Sequence, residues 1–213
     1  MESASVLMLK IFKGLYMFGI FKRKSKNSSS PVIKTPENVF YTNSGMLGLW
    51  DYSAYQHIKN YDAWEPEFVE DEDILRNIKN ATYVPINIQS DGAYSVEVKL
   101  NEATELSSRE QKYLTVTSQP YLLKTEGKVA LSSMETVGND PVENIKILSV
   151  DPGEYAVQIH LIGWDKEPGS KGADGAPSDN ALPDFIVCIS RNDGQLKQFR
   201  QEIETFRRQD IVD

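Results

Sequence analysis

Apolar and polar positions alternate with a period of two along much of the chain beyond residue 36, the pattern of half-buried β-strands. The clearest case is Tyr94, Val96, Val98 and Leu100, which alternate with Ser95, Glu97 and Lys99. Residues 82–89 and 93–100 flank Ser90-Asp91-Gly92, a turn signal that predicts a β-hairpin. Three further pairs have the same form. Residues 39–42 and 46–50, a hairpin or a strand pair with a turn, are separated by Asn43-Ser44-Gly45, and residues 119–125 and 128–132 by Glu126-Gly127. Residues 145–150 and 154–164 are separated by Asp151-Pro152-Gly153, and here Tyr155, Val157, Ile159 and Leu161 share one strand face. Residues 185–189 are continuously apolar, which predicts a strand buried on both faces.

Helical signals are fewer. Asp51 stands at an N-cap position ahead of Ala54, Tyr55 and Ile58, so a short helix is expected over 52–60. Ile74, Leu75 and Ile78 stripe a second helix, and Ser107-Ser108-Arg109-Glu110 reads as a capping box opening a third of one or two turns. Leu196, Phe199, Ile203 and Phe206, spaced 3, 4 and 3, predict an amphipathic C-terminal helix. Residues 165–183 show no periodicity, and a loop of that length is usually functional or disordered. The expected fold is mainly β (α+β): an antiparallel β-sandwich or barrel-like core with three or four short peripheral helices.

Charge divides the chain in two. Residues 1–36 hold seven Lys or Arg and one acid, a sum of +6, whereas the remainder holds 16 basic and 30 acidic side chains, a sum of -14. This predicts a basic N-terminal segment and linker over 1–36, partly disordered or helical, ahead of a single acidic, mostly-β domain over 37–213. The apolar run 6–21 is interrupted by Lys10 and Lys13 and falls short of the roughly 20 residues that span a bilayer. Glu2 and the basic run at 22–26 make it a poor signal peptide. Two readings remain open: an interfacial helix, with any membrane contact confined to residues 6–26, or a true translation start at Met17. Cys188 is the only cysteine, which excludes an intramolecular disulfide, reads as a small buried hydrophobe and suits a reducing, cytoplasmic location.

No phosphate-cradling glycine motif, HExxH or GxSxG is present, and the two histidines, His57 and His160, stand far apart. His160 reads as a solvated or hydrogen-bonded strand histidine. Asp165, Glu167, Asp174, Asp179 and Asp184 lack EF-hand spacing, so a solvated loop is favoured over a calcium site. The expectation is a non-enzymatic protein with no catalytic residue, metal or cofactor, the alternatives being a carboxylate-based hydrolase or carbohydrate-active β-domain and a membrane-peripheral module.

The densest acidic stretch holds Asp62, Glu65, Glu67, Glu70, Asp71, Glu72 and Asp73, with no basic residue among them. The helix macrodipole alone accounts for acids at a helix N-terminus. The same residues, with Trp64 and Phe68 set among them, also have the composition of a site for a basic partner. The candidate partner-binding set is therefore Trp64, Glu67, Phe68, Glu70, Asp71 and Asp73, joined by Asp165, Asp174 and Asp179 of the long loop. The expected partner is a basic protein, and nucleic acid is disfavoured by charge.

The block Val150-Asp151-Pro152-Gly153-Glu154-Tyr155-Ala156-Val157-Gln158-Ile159-His160, followed after an irregular loop by Leu182-Pro183-Asp184-Phe185-Ile186-Val187, resembles the C-terminal half of small bacterial nuclease inhibitors of the competence-J type. It is also similar to bacterial families that serve as immunity partners of secreted toxins. The stretch from Phe40-Tyr41-Thr42 to Leu49-Trp50-Asp51 and Asp91-Gly92-Ala93-Tyr94 fit the latter. The resemblance implies a non-catalytic β-domain that binds and blocks a basic toxin or nuclease, and no inhibitory residue transfers with it.

Overall fold

A computed structural model describes residues 38–101, 104–138 and 144–207, so both readings of the N-terminal segment lie outside the described residues. Ten strands dominate: β1 Val39–Thr42, β2 Met46–Asp51, β3 Tyr83–Asn87, β4 Gly92–Leu100, β5 Leu114–Thr117, β6 Tyr121–Thr125, β7 Lys128–Ser133, β8 Lys146–Ser149, β9 Gly153–Ile162 and β10 Phe185–Arg191. Among the described residues three short helices accompany them, α1 Tyr61–Phe68, α2 Asp71–Lys79 and α3 Ser108–Lys112. The protein is mainly β, as the alternation predicts. Among the described residues no helix is long and apolar enough to cross a membrane.

The strands form two sheets. One has the order β1-β4-β10-β9-β5, with β6 continuing β5 along the same edge of β9, and the other has the order β3-β2-β7-β8. Between β5 and β6, Ser118 replaces ladder bonds with its own: its amide donates to Ile159 O, and its hydroxyl accepts from Ile159 N, both at 2.9 Å. Pairing is antiparallel except for β4 with β10, which run parallel, Val96 opposite Phe185 and Leu100 opposite Ile189. A parallel pair requires a long crossover, and the chain between 100 and 185 supplies one.

This topology corrects the hairpins expected at 90–92 and 126–127, and the strands flanking 43–45 and 151–153 are joined by a turn without pairing to each other. β1 pairs with β4 while β2 pairs with β3 and β7; β6 pairs with β9 while β7 pairs with β2 and β8. The pairs β3/β4 and β8/β9 divide between sheets in the same way. Each tight turn is thus a corner that carries the chain from one sheet to the other. Turn residues reverse the chain locally, but burial of the strand faces selects the partner. At 43–45 the Thr42 hydroxyl takes over the missing ladder bonds, donating to Met46 O and accepting from Met46 N, each at 3.2 Å.

The corners create layers. Leu47, Leu49, Val84, Ile86, Val129 and Leu131 face the six-stranded sheet, which returns Val96, Tyr155, Val157, Ile159, Leu161, Val187 and Ile189. The opposite face of the four-stranded sheet carries Trp50 and Tyr83 and is covered by α1 and α2, which is why every residue of β2 and β3 is buried. Gly48 is required there, because a Cβ would lie 2.3 Å from the Tyr83 ring. On the outer face of the six-stranded sheet, Ile162, Ile186 and Cys188 meet Trp164 and Leu182, with Leu106 and Tyr113 packed alongside. Both faces of β10 are therefore buried, as its continuous apolar run predicts.

Two predicted helices do not form. Residues 52–57 make successive turns: Asp51 holds Ala54 N through its carboxylate at 2.9 Å, and Ile58 N reaches back only to Tyr55 O. Tight three-residue turns let both Tyr55 and Ile58 enter the core. Residues 192–207 form an extended arm instead of an amphipathic helix. Its backbone bonds go to the body: Arg200 N to Pro120 O, Glu204 N to the Tyr121 hydroxyl, and Phe206 N to Asn87 O. Phe206 is buried but Leu196 faces solvent, so the helical spacing does not correspond to one buried face.

Candidate functional site

The acidic run divides between two helices. Asn60 caps α1, its side chain accepting from Ala63 N at 3.0 Å, and Asp71, Glu72 and Asp73 occupy the first turn of α2, where the macrodipole favours them. Tyr61, Trp64 and Phe68 lie on one face of α1 and turn inward. Trp64 is 2% exposed and donates through Nε1 to Met134 O at 3.0 Å, while Phe68 is 0% exposed, stacks on Trp64 and meets Tyr83 edge-on at 5.1 Å. These aromatics fasten the helices to the sheet and do not stand between the carboxylates as anchors for a partner.

The carboxylates sort by environment. Arg76 gathers Asp73, Glu67 (3.4 Å) and the Pro66 carbonyl (2.7 Å), and His57 approaches Glu67 at 3.7 Å. The hydrogen bond and charge of Asp73 hold the Arg76 guanidinium above its usual range, against slight burial and with Glu67 assisting. Asn77 Nδ2 donates to Glu67 O at 2.8 Å and ties α2 to the end of α1. Glu67 and Asp73 thus brace the helix pair, whereas Asp62, Glu70, Asp71 and Glu72 are exposed. The result is a rigid platform with an acidic outer side.

The loop acids lie elsewhere. Residues 165–183 fold over the opposite outer face of the sandwich, against α3. Arg109 donates to both oxygens of Glu167 at 2.7 Å and to Asn180 O at 2.6 Å, and Lys171 and Pro177 form an isolated bridge. The Arg109 hydrogen bonds and charge lower the Glu167 carboxyl, outweighing desolvation. Asp174 accepts from Ala176 N at the tip, Asp179 is exposed on the loop surface, and Asp165 is half-buried in the 3-10 turn Trp164–Lys166 that opens the loop. Asp184 is buried, accepting from Ser95 N (2.7 Å) and Trp164 Nε1 (2.9 Å), so it is a structural carboxylate. The structure therefore brings Glu67, Glu70, Asp71 and Asp73 together but sets Asp165, Asp174 and Asp179 on the other side of both sheets.

Beneath the α3 cover lies a polar group that no local motif announces. Lys99 pairs with Glu110 at 2.7 Å, and Glu110 also completes the predicted capping box by accepting from Ser107 N at 2.6 Å. Burial raises the Glu110 carboxyl, but Lys99 and the Ser107 bonds outweigh it and hold it low. His160 is buried, with Nδ1 3.0 Å from the Thr117 hydroxyl, and burial and the Lys99 charge push it below its usual value despite Glu110. Burial drives the Cys188 thiol up to about 11, so it stays protonated and weakly nucleophilic near neutrality. Among the described residues no three of His, Cys, Asp and Glu are grouped to hold a metal ion.

Fold and surface define a class: a two-sheet β-protein with a helical, acidic flank on one outer face and a folded loop on the other. No family model matches the chain, and no curated protein matches it. Two solved structures are similar to the chain at low identity, and the first of them shares its fold. One, described as "Crocagin biosynthetic gene J", has a TM-score of 0.51 and 17% identity over 72% of this chain and 94% of that one. The other is ComJ of Bacillus subtilis, described as the inhibitor of the DNA-degrading activity of NucA, with a TM-score of 0.39 and 12% identity over 72% and 92%.

Proposed function

We propose that this chain is a non-enzymatic binding protein that neutralises a basic protein, a nuclease or toxin, by presenting the acidic outer side of α1 and α2 to it. One observation carries the reading: Asp62, Glu70, Asp71 and Glu72 stand exposed on a helix pair whose own aromatics and Arg76 clamp hold it rigid. Fixed carboxylates on a body of charge -14 speed encounter with a cationic surface and select against anionic ones. The sequence resemblance to nuclease inhibitors supports the same role, and the single buried thiol suits the cytoplasm.

The test is retention of a partner from the native host at low salt, comparing the wild-type chain with Glu70→Lys/Asp71→Lys. The expected result is a basic protein held by the wild type and released by the double variant, with its nuclease or toxic activity suppressed only in the complex. Equal retention by both proteins, or a bound protein whose activity is untouched, overturns the assignment.

A further inference from the structure

Beyond the end of β3, the 88–91 turn, the start of β4 and β10, and the C-terminal arm border a cleft of about 470 Å³. Leu161, Phe185 and Phe206 form its floor, each almost fully buried, and half-buried Ile88 and Tyr94 carry its accessible apolar surface. The three rings meet edge to face, Tyr94 with Phe185 at 6.3 Å and Phe185 with Phe206 at 5.8 Å. A further aromatic ring entering the cleft can add one more contact of this kind. The volume falls within the range of small-ligand sites.

The polar groups are unevenly placed. Arg207 lines the cleft and is exposed, and its guanidinium donates to the neutral Gln89 carbonyl oxygen. Among the described residues no carboxylate pairs with Arg207, although the chain as a whole is acidic. Gln89 itself has φ +58, a left-handed conformation that a non-glycine residue adopts only when its surroundings impose it. The imposition is visible: Ile88 N and Gln89 N both donate to Gly45 O, at 2.8 and 2.9 Å. The Asp184 carboxylate also lines the cleft and disfavours a ligand's negative charge near it, leaving the guanidinium fork as the place for that charge.

We infer that this cleft binds an aromatic carboxylate, its ring lying on Tyr94 and Ile88 over the buried Phe185 and Phe206 and its carboxylate on Arg207. The inference stands independently of the proposed role of α1 and α2. The same chemistry is offered by a free aromatic acid and by a peptide chain ending in phenylalanine, and the two are separable by experiment.

The full chain is titrated calorimetrically with 3-phenylpropionate and with Gly-Gly-Phe, each beside its uncharged amide. Both carboxylates are expected to bind saturably, and the amides about tenfold more weakly, the loss of one charge-assisted contact. Arg207→Gln is expected to erase the difference between acid and amide, whereas Arg207→Lys keeps part of it. Ser90→Trp, at an exposed rim position, is expected to abolish binding without changing the melting temperature. Tighter binding of the tripeptide assigns a chain terminus as the source, and tighter binding of the small acid assigns a free metabolite. Absence of saturable binding, equal affinity for acid and amide, or indifference to both Arg207→Gln and Ser90→Trp overturns the inference.

Discussion

The helix pair packs on Tyr83 at the start of β3 and the cleft opens beyond its last residue, Asn87, and the two present different chemistry to solvent. In α1 the rings of Trp64 and Phe68 point into the molecule and the carboxylates point out. At the cleft Phe185 and Phe206 are buried just as deeply, but half-buried Tyr94 and Ile88 border an opening, and a single guanidinium stands beside them. A surface of the first kind steers and orients a partner, because exposed charges act at a distance but contribute little held energy. A surface of the second kind grips, because apolar area and a charge-assisted bond are both withdrawn from water. The acidic composition of the chain announces only the first.

The largest expected effect tests whether the two sets of rings differ in duty. Phe68→Ala should destabilise the protein by about 3–5 kcal/mol, because it empties a closed site between Trp64, Tyr55 and Tyr83. Phe206→Ala should cost less, about 2–3 kcal/mol, because the space it vacates joins a cleft already open to water. Urea denaturation of the two variants gives both numbers. Equal losses mean that the arm belongs to the core as fully as α1 does, and the comparison fails.

Next in size is Gly45→Ala, which acts on the cleft end alone. Gly45 has φ +70, and a Cβ there would lie 2.6 Å from Ser90 N. The left-handed backbone alone costs about 1–2 kcal/mol in an alanine, and the contact must be relieved by moving the 88–91 turn. A loss of about 2–3 kcal/mol is expected, together with weakened aromatic-acid binding and unchanged binding of a basic protein at α1 and α2. Calorimetry on the one variant with both ligands checks the separation.

A pH dependence of stability is expected away from both ends. His160, on the other outer face, is buried beside Lys99 and its folded value lies below the ordinary 6.5. The unfolded chain therefore binds the proton first, so His160 supports stability fully above pH 6.5 and progressively less as pH falls toward its folded value. His160→Gln should flatten the stability curve in that window. A slope unchanged by the substitution would place the titrating group elsewhere.

Strand faces were readable because alternation is local. Tyr94, Val96, Val98 and Leu100 in β4, and Tyr155, Val157, Ile159 and Leu161 in β9, all turn inward as their spacing requires. The capping box at 107–110 was readable for the same reason, since every atom of it lies within one helical turn. Strand partners were not, because Gly-containing turns such as 126–127 look alike whether they close a hairpin or turn a corner between sheets. Part of the α1 error had a visible remedy: Tyr61, Trp64 and Phe68 are spaced by 3 and 4, which puts them on one helical face and predicts burial. The cleft had no such signal. Ile88, Leu161, Phe185 and Arg207 come from four separate stretches, and only the arm's extended path brings the last of them into place.

The smallest effect on stability is expected where the effect on encounter is largest. Glu70→Lys/Asp71→Lys reverses two exposed charges at the start of α2, where the macrodipole prefers acids, and should cost no more than about 1 kcal/mol. Neither side chain fills the core, so the fold and the cleft should be unaltered. Association with a basic partner should slow far more than dissociation accelerates, and the difference from wild type should shrink as salt rises, because steering charges act through solvent and are screened by it. Stopped-flow association at low and high ionic strength reads both quantities. If the variant instead dissociates faster at an unchanged association rate, the acids of the platform hold the partner directly, and the division between an end that steers and an end that grips gives way to one in which both ends grip.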